Sequence, residues 1–433
     1  MRNETSIAIL GGGVSGLTLA RTLGDLGYSR VVVFEREAEV GGKSFTVDID
    51  GRPHDLGATM GVPIDYKHVL AASRAANIET TRFPLEQHYD LELGRAVALN
   101  RWHEVPKVLA QAAKYLSLHA KAWRGTDGYP LHEAAAALHE PWQTIVERHG
   151  LEAVNRRTLC YRTGYGYGFD DEVPAVLYAH LLRPQTLLGL SVSHAFMWRG
   201  GTQPIWKALA KQLDVRTSTT VTKLVRQGDG VIVHSRGVRS HVEKFDRLVI
   251  TFNPKDALGI LDATGAERGW FSQVRTYPYA TVACEVEGLT PGRTSVGYID
   301  QNMRRDRAGH PMAWVKRYAD QDIYIAHLFA PAALSDGELA TRIGGDVARL
   351  GGRLVAVRAT KSWQFFPHFG SGFMRAGGLT EIDRWQGQNR TYLIGEVLSF
   401  ATMARVAELA VGFAHRMARE RVPVTVAASR YAS

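Results

Sequence analysis

The first thirty-five residues constrain the fold more than any other stretch. The apolar run Ser6–Leu10 leads into Gly11-Gly12-Gly13-Val14-Ser15-Gly16, then an amphipathic segment, then the valine-rich run Arg30–Phe34, with Glu35 at its end. Leu17, Ala20, Leu23 and Leu26 fall on one helical face, and Gly27 follows as a stop. This is strand, helix and strand in quick succession. Each glycine of the GxGxxG has its own duty there. Gly11 permits a tight turn, Gly13 lets the backbone approach a pyrophosphate, and Gly16 lets the helix pack closely on the strand. The phosphates then rest on the helix N-terminus. Glu35 stands where a carboxylate hydrogen-bonds ribose hydroxyls. These residues predict a dinucleotide-binding unit.

The remaining composition narrows the class. At 433 residues and 45% apolar, the chain is long enough for two or three domains and a core without staples. Cys160 and Cys284 lie far apart, which excludes a disulfide framework and a thiolate zinc site. The histidines form no HExxH pattern, so no metal site is expected. No apolar run approaches ~18 residues, so no spanning helix is expected. A strand begins at Ile7 with no secretory apolar region before it, which points to the cytoplasm. Lys and Arg exceed Asp and Glu by 52 to 43, but without any basic block or RNA-binding signature. Nucleic acid is therefore not expected as a partner, and an anionic substrate or lipid surface fits better.

Residues 101–124 read as helical after Pro106. Lys107, Lys114 and Lys121 recur at one spacing, as do Leu109, Leu116 and Trp123. Two readings stay open: a solvated basic face over a buried stripe, or a membrane-surface helix over 106–124 that makes transient contact and collects an amphiphilic substrate. Residues 213–252 read as strands around the turn Gly228–Gly230, and 294–329 alternate as sheet. The last long helix falls within 402–421. There is no internal repeat and no long linker, so the domains are expected to interleave. The cofactor domain is placed at 1–62, 196–268 and 383–433, and the substrate domain at 63–195 and 269–382.

The residues beyond Glu35 select the dinucleotide. A glycine pair, Gly41-Gly42, precedes Lys43; Asp55-Leu56-Gly57-Ala58 comes next; and TYLIGE ends in Gly395-Glu396 shortly before a helix. This set resembles the FAD-binding family of flavin amine oxidases and phytoene desaturases. The resemblance implies an α/β fold, with a Rossmann-like FAD domain interleaved with a sheet-plus-helix substrate domain. It implies that Gly42 and Lys43 lie along the FAD pyrophosphate, with Gly57 and Ala58 in the adjoining motif. Glu396 is then near the ribityl–phosphate region, Val221 meets the adenine through its backbone, and the helix starting near Met403 points at the flavin ring. With only one GxGxxG, no separate nicotinamide domain is expected. Neither cysteine matches a flavin-linkage motif, so the FAD is expected to be non-covalent.

YGYGFDDEVPA, MWRGGTQPIWKAL, GYIDQNMRRDRAGHPM and FFPHF are similar to segments of the polyenoic fatty acid isomerases. That resemblance implies a redox-neutral shift of double bonds in a lipid-like substrate, by hydride removal and return. Tyr165 then matches an aromatic gate. Tyr165, Tyr167 and Phe169 read either as an aromatic wall beside the flavin or as core rings in a tight turn. Phe196 and Trp198 read as pocket wall or as plain packing. Phe365, Phe366 and His368 stand as the opposite wall, although a lone histidine such as His368 or His310 more often serves structure. The isomerases carry an arginine for the substrate carboxylate, and TTRFPLEQHYDLELG has none at the matching place; Arg82 lies just upstream. The alternative is a net oxidoreductase, a desaturase or amine oxidase. FATMARVAELAVG lacks the Tyr or Trp that an amine cage uses, which weighs against the amine oxidase.

Overall fold

The structure, a computed structural model, describes residues 3–98, 104–124, 131–134, 136–191, 195–331 and 334–419. Its first layer is a five-stranded parallel sheet in the order Thr391–Leu393, Arg247–Ile250, Asn3–Leu10, Tyr28–Phe34 and Asp214–Arg216. Successive side chains of a strand point to opposite faces, and the two faces have different partners. Ile7, Ile9, Val33 and Val249 pack on one side against the helices Val14–Asp25 and Met403–Arg419, through Leu19, Leu23, Phe413 and Met417. Ala8, Leu10, Val32 and Phe34 pack on the other side toward Leu224, Val231 and Val233 of a three-stranded antiparallel sheet. Buried on both faces, the central strands read as continuous apolar runs.

The second layer is a seven-stranded sheet built around two long strands, Arg275–Glu287 and Arg353–His368. Its neighbours are antiparallel except Ser295–Tyr298 beside Glu86–Asp90, which run parallel. Short helices between Trp142 and Ser191 cover one end. A two-stranded pairing of Thr80–Arg82 with Phe196–Trp198 joins chain segments far apart in sequence. No helix among the described residues is long and apolar enough to cross a membrane.

Three local expectations need correction. The first helix ends at Asp25, so Leu26 lies beyond it and is 36% exposed. The strand Ile323–Phe329 is buried throughout rather than alternating, because it is interior to its sheet and covered on both faces. Of the expected stripe Leu109, Leu116 and Trp123, only Trp123 is buried; the helix Val105–Ala122 instead buries Gln111, Tyr115 and His119. The i, i+4, i+8 face wins because its polar groups find partners. Gln111 Oε1 accepts the amide of Ala153 at 2.7 Å, and Tyr115 donates to the carbonyl of Leu182 at 2.9 Å. Leu109 and Leu116 stay exposed, alongside Lys107, Lys114 and Lys121.

Gly16 carries the helix-on-strand contact. A Cβ there would lie 2.0 Å from the carbonyl oxygen of Gly11 and 3.3 Å from a methyl of Ile9. Neither neighbour gives way cheaply, since one is backbone and the other is core. Gly16→Ala should therefore destabilise the fold by roughly 1–3 kcal/mol, the range for overpacking. Denaturant unfolding measures this, and an unchanged midpoint would show that the helix is free to lift from the strand.

Candidate functional site

Two glycine turns press against each other at the C-terminal end of the parallel sheet. Gly11 adopts φ +110°, in the region that favours glycine, and donates to the carbonyl of Phe34 at 2.9 Å. Gly41 donates to Gly12 at 2.9 Å, and a Cβ on Gly42 would come 3.2 Å from Gly13 Cα. A Cβ on Gly13 itself meets only Gly42 Cα, at 3.9 Å, so this position faces an open cradle at the helix N-terminus. Glu35 is 8% exposed and accepts the amides of Gly12 at 2.7 Å and Glu37 at 2.9 Å. Each carboxylate oxygen keeps a lone pair. The amide of Thr219 donates to the Glu35 carbonyl, which brings Val221, at the start of the strand Thr220–Gln227, to the same end of the sheet. This cradle has the donors and the acid that a dinucleotide needs.

A second cluster fixes the stretch between the two sheets. Asp55 is buried against Arg317 at 3.0 Å and also accepts the amide of Thr202 at 2.9 Å. Arg317 donates to the carbonyls of Trp198 and Arg199. Gly57 is pinned so closely that a Cβ would meet the carbonyl oxygen of Lys43 at 2.0 Å. Ala58 donates to that same carbonyl at 2.9 Å. Lys43 pairs with Glu396, and its ammonium lies 5.4 Å from the centre of the Phe365 ring. Gly395 holds φ +115°, with the carbonyl of Thr251 where a Cβ would be. Met403 starts the last helix and accepts a contact from Ser44 Oγ at 3.3 Å.

Beside the second cluster lies a cavity of about 140 Å³ that opens to solvent. Lys43, Gly57, Ala58 and Met403 line it, as do Tyr165, Tyr167 and Phe365. The glycines between the tyrosines have a packing reason. A Cβ on Gly166 would lie 2.5 Å from the ring of Tyr279, and one on Gly168 2.5 Å from the ring of Tyr277. Two rings of the strand Arg275–Glu287 thus lie on two glycines, and Tyr165 and Tyr167 are turned toward the cavity. Tyr167 stacks on Phe365 at 5.5 Å, and Tyr279 stacks on Phe365 at 4.9 Å.

The other sequence candidates lie elsewhere. Phe169 packs on Phe329 and under Arg305, outside the cavity lining. Trp198 is fully buried, and it and Phe196 pack with Tyr66 in a separate cluster. Their MWRGGTQ segment is a clasp: Trp198 and Arg199 offer carbonyls to Arg317, and Thr202 caps Asp55. Phe366 and His368 stack on each other behind Phe365. His310 pairs with Asp346 at 2.8 Å in the far part of the antiparallel sheet. Arg82 is exposed and does not line the cavity.

Residues that sequence reading missed complete the wall, notably Tyr279, His327, Trp363 and the buried pair Asp65–Arg405. The alternation Tyr277-x-Tyr279 was a signal for two rings on one strand face. Nothing local to His327 marks it, because it reaches the cavity only through strand pairing with Thr281.

Burial governs the titratable groups here. It pushes the Tyr165 and Tyr167 phenols up, so both stay neutral. It pushes His327 and His368 down to about 4 from the ordinary 6.5. The unfolded chain therefore binds more protons than the native one between those values. The stability these two histidines confer is complete above pH 6.5 and declines as the pH falls toward 4. Thermal melts between pH 6.5 and 4 should show the midpoint dropping. The drop should shrink in the double variant His327→Gln, His368→Gln; an identical pH profile would mean that neither is buried neutral.

Comparison with known proteins bears out the resemblance read from the sequence. The polyenoic fatty acid isomerase of Ptilota filicina is 24% identical over 258 residues, 52% of each chain. Polyamine oxidase 2 of Arabidopsis thaliana is 26% identical over 265 residues, 55% of this chain and 49% of its own. The chain thus spans about half the length of these curated relatives. Among solved structures, the CLA-producing fatty acid isomerase from P. acnes matches with a TM-score of 0.88 at 25% identity, over 96% of this chain and 99% of that one. A putrescine oxidase bound to putrescine matches at 0.70 with 14% identity, over 96% and 99%, a likeness of fold alone. One family match runs from the helix after the glycine turn into the long strand of the antiparallel sheet, over residues 14–283, and through it this chain belongs to the flavin containing amine oxidoreductases.

Proposed function

We propose that the chain is an FAD-dependent double-bond isomerase acting on an unsaturated, lipid-like substrate. The observation that carries this reading is the cavity: Tyr165, Tyr167, Tyr279, Trp363 and Phe365 wall it, and Lys43 and Arg405 there are already paired with acids. Such a space suits an acyl chain better than a cationic amine. The names of the P. acnes and Ptilota filicina relatives support the same reading.

FAD would be held by Gly11, Gly13 and Gly16 with Glu35 at its adenosine half, and by Gly42, Lys43, Gly57, Gly395, Glu396 and Met403 toward the ring. Cys160 and Cys284 are buried and line no part of the cavity, which supports non-covalent binding. Bound flavin supplies a hydride acceptor that is also the hydride donor. The protein's own residues do the rest. They hold the carbon between two double bonds in place, keep water out, and face the delocalised substrate cation with aromatic rings, at ~0.5–2 kcal/mol for each well-placed ring. A flavin in that role would leave the substrate with no net loss of electrons. Leu109 and Leu116, exposed beside lysines on the helix Val105–Ala122, suit transient contact with the lipid surface from which such a substrate comes.

Two experiments test this. Gly13→Val adds a side chain that the fold accommodates but the cofactor cradle does not. The variant should keep its circular-dichroism spectrum and lose its yellow colour; full flavin occupancy would show that the cradle is misread. Anaerobic incubation with a diene deuterated at the doubly allylic carbon should yield conjugated diene, read by ultraviolet absorbance, with the label kept in the product. Tyr165→Phe should retain most of this activity. Tyr165→Ala should lose up to roughly 100-fold through poor positioning. Turnover that stops after one reduction of the flavin would instead identify an oxidase or desaturase.

A further inference from the structure

The sheet face that borders the cavity runs on past Trp363 to a lysine. Tyr279 and Thr281 of the strand Arg275–Glu287 line the cavity, as do Trp363 and Phe365 of the neighbouring strand Arg353–His368. Tyr277 is paired with Phe365, Tyr279 with Trp363 and Thr281 with Lys361, with no register shift between them. Residues two apart in a strand share a face, so Lys361 extends the row of Phe365 and Trp363. It stands at the edge of the cavity, beside the lining residues Thr281 and Trp363. Its ammonium lies over that row, 5.2 Å from the centre of the Trp363 ring and 4.8 Å from that of Phe45. Those two rings meet edge to face, with centres 6.2 Å apart.

Lys361 differs from the cations that line the cavity. Lys43 is matched by Glu396, and Arg405 by Asp65 and Glu408. Among the described residues, the Lys361 ammonium has no ion-pair or hydrogen-bond partner. Lys361 is half-buried, open enough to take a ligand. Its strand is the edge of the seven-stranded sheet, where a lysine often serves only to keep other strands away. A lysine with that duty alone turns its charge to water, whereas this one lies over a ring of the cavity wall. Ring faces attract an ammonium and leave its N–H donors open to an anion.

Building on the isomerase reading, we propose that Lys361 holds the carboxylate of a free unsaturated acid, whose chain passes over Trp363 into the cavity. Phe365 follows Lys361 by four positions, roughly 13 Å along the strand. The acid group therefore stays at the half-exposed rim, and the diene lies where Tyr167 and Tyr279 stack on Phe365. A carboxylate held there avoids the cost of burying an unpaired charge. Deeper in the cavity it would meet only Lys43 and Arg405, whose charges are already matched.

The test titrates the flavin-loaded protein with linoleic acid, its methyl ester and the corresponding alcohol. All are kept below their aggregation limits, and the visible flavin spectrum reports binding. Added salt should weaken the acid alone, since only the acid makes a charge pair. Lys361→Met keeps an apolar stem over the rings and removes the charge. It should weaken acid binding by roughly fivefold, the upper worth of a half-exposed ion pair. Ester and alcohol binding should stay unchanged, which also reports an intact cavity. Lys361→Arg should restore most of the loss. In turnover, Lys361→Met should raise KM for the acid and leave kcat alone, because the charge sits away from the reacting carbons. The inference is overturned if Lys361→Met leaves acid binding unchanged, if it weakens all three probes alike, or if no probe perturbs the wild-type flavin. Acid binding that depends on Lys361 but yields no conjugated diene would sink the isomerase reading and leave the role of Lys361 standing. Conjugated product formed by Lys361→Met at an unchanged KM would do the reverse.

Discussion

The buried pair between Asp55 and Arg317 ties the hairpin that leads into the cavity wall to the seven-stranded sheet. Asp55 ends the hairpin strand Arg52–Asp55, Arg317 follows the strand Ala313–Lys316, and both hold the turn that runs from Trp198 to Thr202. Three chain segments far apart in sequence therefore meet at one charge pair. Each charge has further hydrogen bonds, which is what makes burial of an ion pair tolerable. Removing either partner leaves the other charge stranded, at a cost of roughly 3–5 kcal/mol. Leu56, Gly57 and Ala58 follow Asp55 directly, so the cavity wall is positioned by this pair.

The site itself is a contrast between filled and unfilled polar demand. Charges near the cofactor cradle are matched, and the aromatic wall is neutral because burial holds its phenols protonated. The glycines of TGYGYGF belong to the same design. They accept the faces of Tyr277 and Tyr279, and this lets one short turn and one long strand share a boundary with the cavity. Aromatic rings at such spacings add about 0.5–1.5 kcal/mol per pair beyond their buried area.

The parts of this architecture visible in the sequence are those whose function is local. The turn with Gly11, Gly13 and Gly16 works within one strand–helix–strand unit, so spacing alone reveals it. Glu35 is legible for the same reason. The family resemblance extended that reading to Lys43 and Glu396, which meet only across the fold. Trp198 and Phe196 resisted because nothing in MWRGGTQ tells a pocket wall from a clasp; the difference is made by Arg317, far later in the chain. Leu109 and Leu116 misled because their spacing mimics a buried stripe, while the hydrogen bonds that Gln111 accepts and Tyr115 donates decide which face docks. His327 was invisible, since register with the strand of Tyr279 and Thr281 puts it at the cavity.

The pairing of Lys43 with Glu396 spans 353 positions of the chain. Translation at ~5–20 residues per second separates the two by roughly 20–70 s. Once the strand Arg247–Ile250 is made, it still lacks its neighbour Thr391–Leu393, and the edge of the parallel sheet stands open until that strand follows. The helix Met403–Arg419, which covers Ile7, Ile9 and Val33, comes later still. A nascent chain thus holds a finished glycine turn long before it owns a finished cofactor site. Chains cut short before residue 391 would lack this strand and the helix after it, and would expose apolar sheet to chaperones and proteases.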